Sequence, residues 1–380
     1  MSEDTIDSPR LRFHPVQPRN ASFWVLAPAV AVGLLIFVQR IASDAQYYGK
    51  ALVVSSVYFT FYGALFWWFT QRIDRYSSIP WRLVITGFAW GGFAATFLMG
   101  ERANLAVLEI YMKLFGQAWV ARWGPALTAP FTEEIAKGVG LLLLVGLGGR
   151  FVRTAFDGFI LGAFIGLGFQ ILEDIAYMSE AFGSAFGADP LQNGMQTLVV
   201  RSASGFTAHI LYSSVFCAGL TYLIGRSREP RRVGRGLLLM FLPMLAHGLW
   251  DGGLLALFTI LDLPAVFGAL TFPIVIGGSV MLVVFTFRVT VANERFQTHR
   301  VLEPEVAAGV LSADLASAVT GTRRDRKHYV STGDGHHGRR VRKLEVEKAF
   351  DLVNELDRAG GRSTDRVEHA RREVARVRSG

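Results

Sequence analysis

Between Phe23 and Phe287 the chain alternates long apolar runs with short polar, mostly basic stretches. A helix rises about 1.5 Å per residue and the hydrocarbon core of a bilayer is about 30 Å thick, so runs of roughly 18 to 22 apolar residues predict membrane spans. Such runs lie near Phe23 to Val38, Ala51 to Thr70, Leu83 to Gly100, Pro130 to Leu147, Phe156 to Met178, Ser202 to Gly225, Gly236 to Phe258 and Ala269 to Phe287. The fourth is the shortest in purely apolar terms, because its first turn carries Glu133, Glu134 and Lys137. After Arg288 the pattern changes. "STGDGHHGRRVRK" predicts a flexible joint, and "LEVEKAFDLVNELDRA" sets Val346, Phe350 and Val353 at helical spacing. The expected fold is all-α: a polytopic membrane protein of about eight transmembrane helices. Residues 1–22 form a polar N-terminal segment, 23–288 the membrane domain and 289–380 a charged, partly helical tail.

Composition agrees with this pattern, with 51% hydrophobic residues, 18% charged residues and 40 glycines. The net charge of +8 would suit nucleic acid, but its distribution points to a membrane surface instead. Basic residues crowd alternate loops: Arg10, Arg12 and Arg19; Arg72, Arg75 and Arg82; Arg150 and Arg153; then Arg226 to Arg235. The intervening loops hold fewer, among them Arg40, Arg102, Lys113 and Arg201. This bias places both termini in the cytoplasm, with the first run as a signal anchor, the lipid bilayer as partner and no role for nucleic acid. The single cysteine, Cys217, sits in an apolar run, which excludes a disulfide framework and a cysteine metal cluster.

Ionisable side chains inside a span cost roughly 2.5 to 3.5 kcal/mol each at the helix centre, so their positions carry information. They are few and grouped: Glu133, Glu134 and Lys137 in span four, Glu173 and Asp174 in span five, His209 in span six, His247 and Asp251 in span seven. The alternating topology puts all four groups about 10 Å or less beneath the outer surface, with His247 one turn deeper. Spacings of three and four residues let Glu133 and Glu134 meet Lys137, and set His247 over Asp251. Each group alone has a plainer explanation. Glu133 and Lys137 would make an ion pair at a helix N-terminus, Asp174 would lie at the interface, and His209 would be a helix-packing residue. Four such groups at one depth are harder to explain separately.

This set suits hydrolysis. Glu133 or Glu134 would take a proton from water, Lys137 would orient the water or tune its charge, and His247 with Asp251 would stabilise an oxyanion or protonate the leaving amine. Glu134, Glu173, His209 and His247 also make an acceptable zinc set, in which the metal would acidify the water. The sequence leaves direct glutamate catalysis and metal catalysis both open, and it contains no H-E-x-x-H helix. A transporter or proton relay would use the same acids and histidines. Such proteins tend to show internal duplication and acids at several depths, whereas here only Asp157 stands out at the inner edge. His336 and His337, in a basic stretch of the tail, are assigned no metal.

"EEIAK" (Glu133 to Lys137), "FQILE" (Phe169 to Glu173) and "HGLWD" (His247 to Asp251) stand in this order, with His209 between the last two. Over roughly Glu101 to Phe287 the sequence resembles the PrsW family of intramembrane proteases, grouped with the CAAX prenyl endopeptidases. The resemblance implies a membrane-buried site that hydrolyses a peptide bond of a membrane-anchored protein, such as an anti-sigma factor, at the outer face of the bacterial plasma membrane. It assigns the site to Glu133, Glu134, Lys137, Glu173, His209, His247 and Asp251. Related prenyl endopeptidases have a histidine where Glu173 stands, and the tail lies outside the matched region.

Overall fold

The computed structural model describes residues 13–73, 79–183, 189–205, 208–264 and 266–379. Part of the polar N-terminal segment, with Arg10 and Arg12, lies outside them, as does Arg75. Two units divide the chain, one ending at Phe287 and one running from Arg288 to Gly380. Among the described residues there is no strand, and one isolated bridge joins Arg226 to Glu229.

In the first unit the helices are α1 (Ala21–Ile73), α2 (Trp81–Phe115), α3 (Gln117–Gly148), α4 (Ala155–Phe182), α5 (Pro190–Gly205), α6 (His209–Ile224), α7 (Val233–Ile260) and α8 (Val266–Ala307), within which the second unit begins. The protein is an all-α membrane protein. Five helices among the described residues are long and apolar enough to cross a bilayer: α1, α2, α4, α7 and α8. The difference from the eight expected spans has physical causes. Spans one and two both fall in α1, which breaks at Tyr48 (φ −125°, ψ 25°). The chain reverses there: Gly33 packs on Phe93 and Tyr48 on Phe182, after which Gly63 meets Ile171 and Trp67 meets Phe164. Span four falls in α3, which is kept out of the five by its charged residues Arg122, Glu133, Glu134 and Lys137, and span six in α6, which has only 16 residues.

α4 is the axis of the unit and is buried almost throughout. Its Gly158, Gly162 and Gly166, four residues apart, face α6. A Cβ at Gly162 would come within 2.3 Å of the Ser213 carbonyl oxygen, and one at Gly166 within 2.4 Å of that of His209. Small residues at this spacing let two helix backbones touch. The approach at Gly166 carries the first residue of α6, His209, to within one to two turns of Glu173 on α4.

α2 and α3 run antiparallel and are tied by Trp90, whose indole Nε1 donates to the Ala136 carbonyl at 2.9 Å while its ring packs on Gly140. From Trp90 to Gly100 the backbone winds as a wider π-helix, a form often found near functional sites. Hydropathy alone predicts a fourth span that begins at Pro130. The helix instead starts at Gln117 and contains both Pro125 and Pro130, so Glu133 and Glu134 lie in mid-helix rather than in a first turn. Proline in a membrane helix is tolerated where neighbours accommodate the freed backbone. Here Gly248 of α7 lies against the Ala126 carbonyl, which Pro130 has no N–H to bond.

The second unit contains α9 (Ala313–Thr320), α10 (Arg323–Ser331), α11 (Gly335–Arg358) and α12 (Asp365–Ser379). Leu302, Leu315, Val319, Leu352, Leu356, Val367 and Val374 form its core. Val346 and Val353 are buried and Phe350 is half-buried, as their spacing suggests. The predicted flexible joint is largely helical, since α11 begins at Gly335 and takes in His336 and His337.

Candidate active site

α3 presents Glu133, Glu134 and Lys137 on one buried face, and the three separate by depth. The Lys137 ammonium is wholly buried. It donates to Glu134 Oε1 at 2.9 Å and to His209 Nδ1 at 2.8 Å, lies 3.5 Å from Glu133 Oε2, and sits 3.7 Å above the Phe169 ring. A buried ammonium is tolerated only with such partners, and the aromatic face adds a further attraction. Glu134 also accepts from Ser213 Oγ at 3.3 Å, so it is held from below by α6. Glu133 faces the other way: its Oε1 accepts from Asn104 Nδ2 at 3.0 Å, and its Oε2 lies 3.6 Å from His209 Nδ1 and 3.9 Å from His247 Nε2. Asn104 is itself held by the Thr132 hydroxyl, which donates to its Oδ1.

α4 and α6 supply a second layer. His209 donates from Nε2 to Glu173 Oε2 at 2.9 Å, which fixes its tautomer and turns Nδ1 toward Glu133 and Lys137. Arg201 of α5 reaches Glu173 and Asp174 at 2.5 Å each. Asp174, expected at the interface, is fully buried in this contact. Nor is His209 inside a continuous span, because α6 begins at it, after Ala208 with non-helical angles.

α7 unwinds where its polar pair sits. Asp251 has ψ 23° and Gly252 has φ 104°, a conformation that favours glycine. Asp251 Oδ2 stays 3.3 Å from His247 Nε2, and the Tyr212 ring stacks on the His247 ring with centroids 5.1 Å apart.

The groups surround a cavity of about 250 Å³. Glu133, Glu173, Arg201, His209, His247 and Asp251 line it together with Asn104, Tyr177, Tyr212 and Trp250. Glu134 and Lys137 stand behind this wall. Five of the seven residues singled out in the sequence are buried in contact with one another, and the half-buried Glu173 and Asp251 join them through His209 and His247. Asn104 and Arg201 were missed. Both lie in stretches that read as loops, and their only sequence signal is a polar side chain close to a buried acid.

Glu133, His209 and His247 each offer one donor atom within 4.8 Å of the others, a carboxylate and two imidazoles of the kinds that zinc takes. His247 Nδ1 is buried without a hydrogen-bond partner, the nearest carboxylate oxygen being Glu134 Oε1 at 3.5 Å. One carboxylate and two imidazoles, with one imidazole nitrogen left unbonded in the interior, fit a metal. Of the four ligands inferred from sequence, His209 and His247 belong to this group. Glu134 is instead bound to Lys137 and Ser213, and Glu173 to Arg201 and His209.

Residues 79–287 match the model of the PrsW family intramembrane metalloproteases. A curated relative from Halalkalibacterium halodurans, named Protease PrsW, is 28% identical over 171 residues, covering 43% of this chain and 71% of the relative. Another Protease PrsW, from Geobacillus kaustophilus, is 25% identical over 185 residues, covering 48% of this chain and 72% of the relative. No solved structure matches.

Proposed function

We propose, from the premise that the chain belongs to the PrsW family of intramembrane metalloproteases, that it hydrolyses its protein substrate in the cavity between α3, α4, α6 and α7. The observation that carries this reading is the buried convergence of Glu133, His209 and His247 on that cavity's wall. These three residues would hold the metal. Bound there, a divalent cation such as zinc would polarise the scissile carbonyl and acidify a water molecule.

The other residues divide the remaining work. Glu173 lies behind His209 at Nε2 and Glu134 faces His247 at Nδ1, so each imidazole has a carboxylate to orient it. Lys137 balances the charge of Glu133 and Glu134. Asp251 has His247 as its ion-pair partner among the described residues and is more open than the other acids, with 21% of its side chain exposed. It is placed to accept a proton from water at Oδ2 and return it to the departing amine. Tyr212 and Trp250 wall the cavity with apolar surface that suits an unfolded stretch of a membrane-anchored segment.

The substrate class we infer is a single-span membrane protein such as an anti-sigma factor, cut near the outer face of the bacterial plasma membrane, with both termini of the enzyme cytoplasmic. The basic loops support that orientation, and the order of the three motifs supports kinship with the CAAX prenyl endopeptidases. A second reading rests on one contact. Lys137 donates to His209 Nδ1, the nitrogen an ion would take, so Lys137 would be the resident cation and Glu133 the base of a glutamate hydrolase. The test is cleavage of a single-span reporter by purified Glu133→Gln and Asp251→Asn variants. Both should lose roughly 10²- to 10⁴-fold in kcat with melting temperature preserved. Wild-type cleavage by both would remove the chemistry from this cavity.

A further inference from the structure

Gln170, Glu173, Asp174 and Tyr177 stand three or four residues apart on α4 and therefore share one face. That face meets Arg201 of α5 and His209, the first residue of α6. Five hydrogen bonds close a ring across it. Arg201 Nε donates to Asp174 Oδ1 at 2.5 Å, and Asp174 Oδ2 accepts from Gln170 Nε2 at 2.9 Å. Gln170 Oε1 accepts from the His209 backbone N–H at 3.3 Å, and His209 Nε2 donates to Glu173 Oε2 at 2.9 Å. The same Glu173 oxygen accepts from Arg201 Nη2 at 2.5 Å, which completes the circuit. The guanidinium also lies 4.2 Å above the Tyr177 ring.

His209 needs this support because the backbone does not supply it. Ala208 has φ −98° and ψ −124°, outside the helical region, so the helix begins at the histidine. Its N–H is one of the unpaired donors of a helix start, and Gln170 takes it. Lys137 holds the imidazole ring at Nδ1 and one carboxylate oxygen holds it at Nε2, and that oxygen is shared with Arg201. A guanidinium presents a rigid planar fork, which a lysine ammonium does not, and so holds two adjacent carboxylates at set positions.

We propose that Arg201 is a positioning residue of the protease: through Glu173 it fixes the direction of the His209 imidazole across the α5–α6 break. This rests on the reading of His209 as part of the active site. Arg201 acts on the reaction without touching the scissile bond, so its loss should reach kcat and spare substrate binding.

The experiment is a double-mutant cycle on the full-length protein in detergent, with kcat, KM and melting temperature measured for Arg201→Lys, Arg201→Gln, Glu173→Gln and the Arg201→Gln/Glu173→Gln double variant. Arg201→Lys keeps the charge and guards against misfolding. Outer partners of ligand histidines typically matter by about 10- to 100-fold, and a kcat loss in that range is expected for both Arg201 variants, with KM within about twofold. The double variant should be no slower than Glu173→Gln alone, because both changes break one path. Independent losses that multiply in the double variant, or a rise in KM with kcat unchanged, would overturn the proposal and make Arg201 a separate substrate contact. Full activity of Glu173→Gln would instead count against the active-site reading itself. Impaired Glu173→Gln with unimpaired Arg201 variants would sink this inference alone.

Discussion

The two ends of α4 both bury charge, but they use it differently. At the N-terminal end, Asp157 Oδ2 accepts the backbone N–H groups of Arg153 at 2.8 Å and Thr154 at 3.1 Å, and Thr154 Oγ accepts from Asp157 N–H. Glu229 accepts from Ala155 N–H, and Arg226 donates to the carbonyls of Val152 and Gly149 at 2.8 and 2.7 Å. Every one of these contacts bonds a backbone group at the start of the helix or in the turn that leads into it. Nearer the other end, Glu173, Asp174, Arg201 and His209 bind chiefly one another and line a cavity. Charge spent on the backbone marks a cap, whereas charge gathered around open space marks a site. Asp157, the one inner-edge acid that stood apart in the sequence, thereby loses its claim to a pathway, and the transporter alternative loses the acid that hinted at a second depth.

The strongest way to break this contrast is to remove the metal. Chelation of the purified protein should abolish cleavage, and returning zinc should restore it, while the fold measured by circular dichroism stays unchanged. His247→Ala should also fail to retain stoichiometric metal, since it removes one of the three donors proposed to hold it. Full activity in metal-free protein would transfer the chemistry to Glu133 and Lys137.

A subtler test applies one steric insult at both ends. A Cβ at Gly166 would press on the His209 carbonyl, and a Cβ at Gly158 on Thr221 Oγ at 2.1 Å and the Cys217 carbonyl at 2.8 Å. Gly166→Ala and Gly158→Ala should both lower the melting temperature, because overpacking costs typically about 1 to 3 kcal/mol. Only Gly166→Ala should lower kcat per folded molecule, by up to about 10²-fold, the effect of misplacing a reacting group by about 1 Å. Equal loss of kcat in the two variants would mean that α6 responds as a rigid whole.

The site was legible wherever an ionisable residue interrupted an apolar run. Glu133, Glu134, Glu173, His209, His247 and Asp251 stood out for that reason, since burial makes such residues costly. Arg201 and Asn104 did not, because a polar residue in a polar stretch carries no contrast. Asp174 was placed at the interface because it points away from Glu173, yet Arg201 spans both carboxylates. The all-α membrane fold followed from hydropathy, but its boundaries did not. Pro125 and Pro130 concealed the first turns of α3, whereas the reversal at Tyr48, beside Gly49, falls between the first two predicted runs. In the tail, glycine and charge suggested a joint before Val346. Helix α11 extends back through it to Gly335, and its later turns bury Val346, Val353 and Leu356, since packing can outweigh local propensity.

The smallest expected effect lies at the cap. Thr154 and Asp157 form a reciprocal capping box at the start of α4, and an N-cap threonine changed to alanine typically costs about 0.5 to 2 kcal/mol. Thr154→Ala should therefore lower the denaturation midpoint while kcat and KM of the folded enzyme stay at wild-type values. Glu173 is 19 residues beyond Thr154, about 28 Å along the helix at the α-helical rise. A cap defect frays its own turn rather than the far end of a packed helix, so it should not reach the ring around Arg201. A fall in kcat comparable to that of Gly166→Ala would show that α4 transmits strain along its length, and the two ends would then have to be treated as one device.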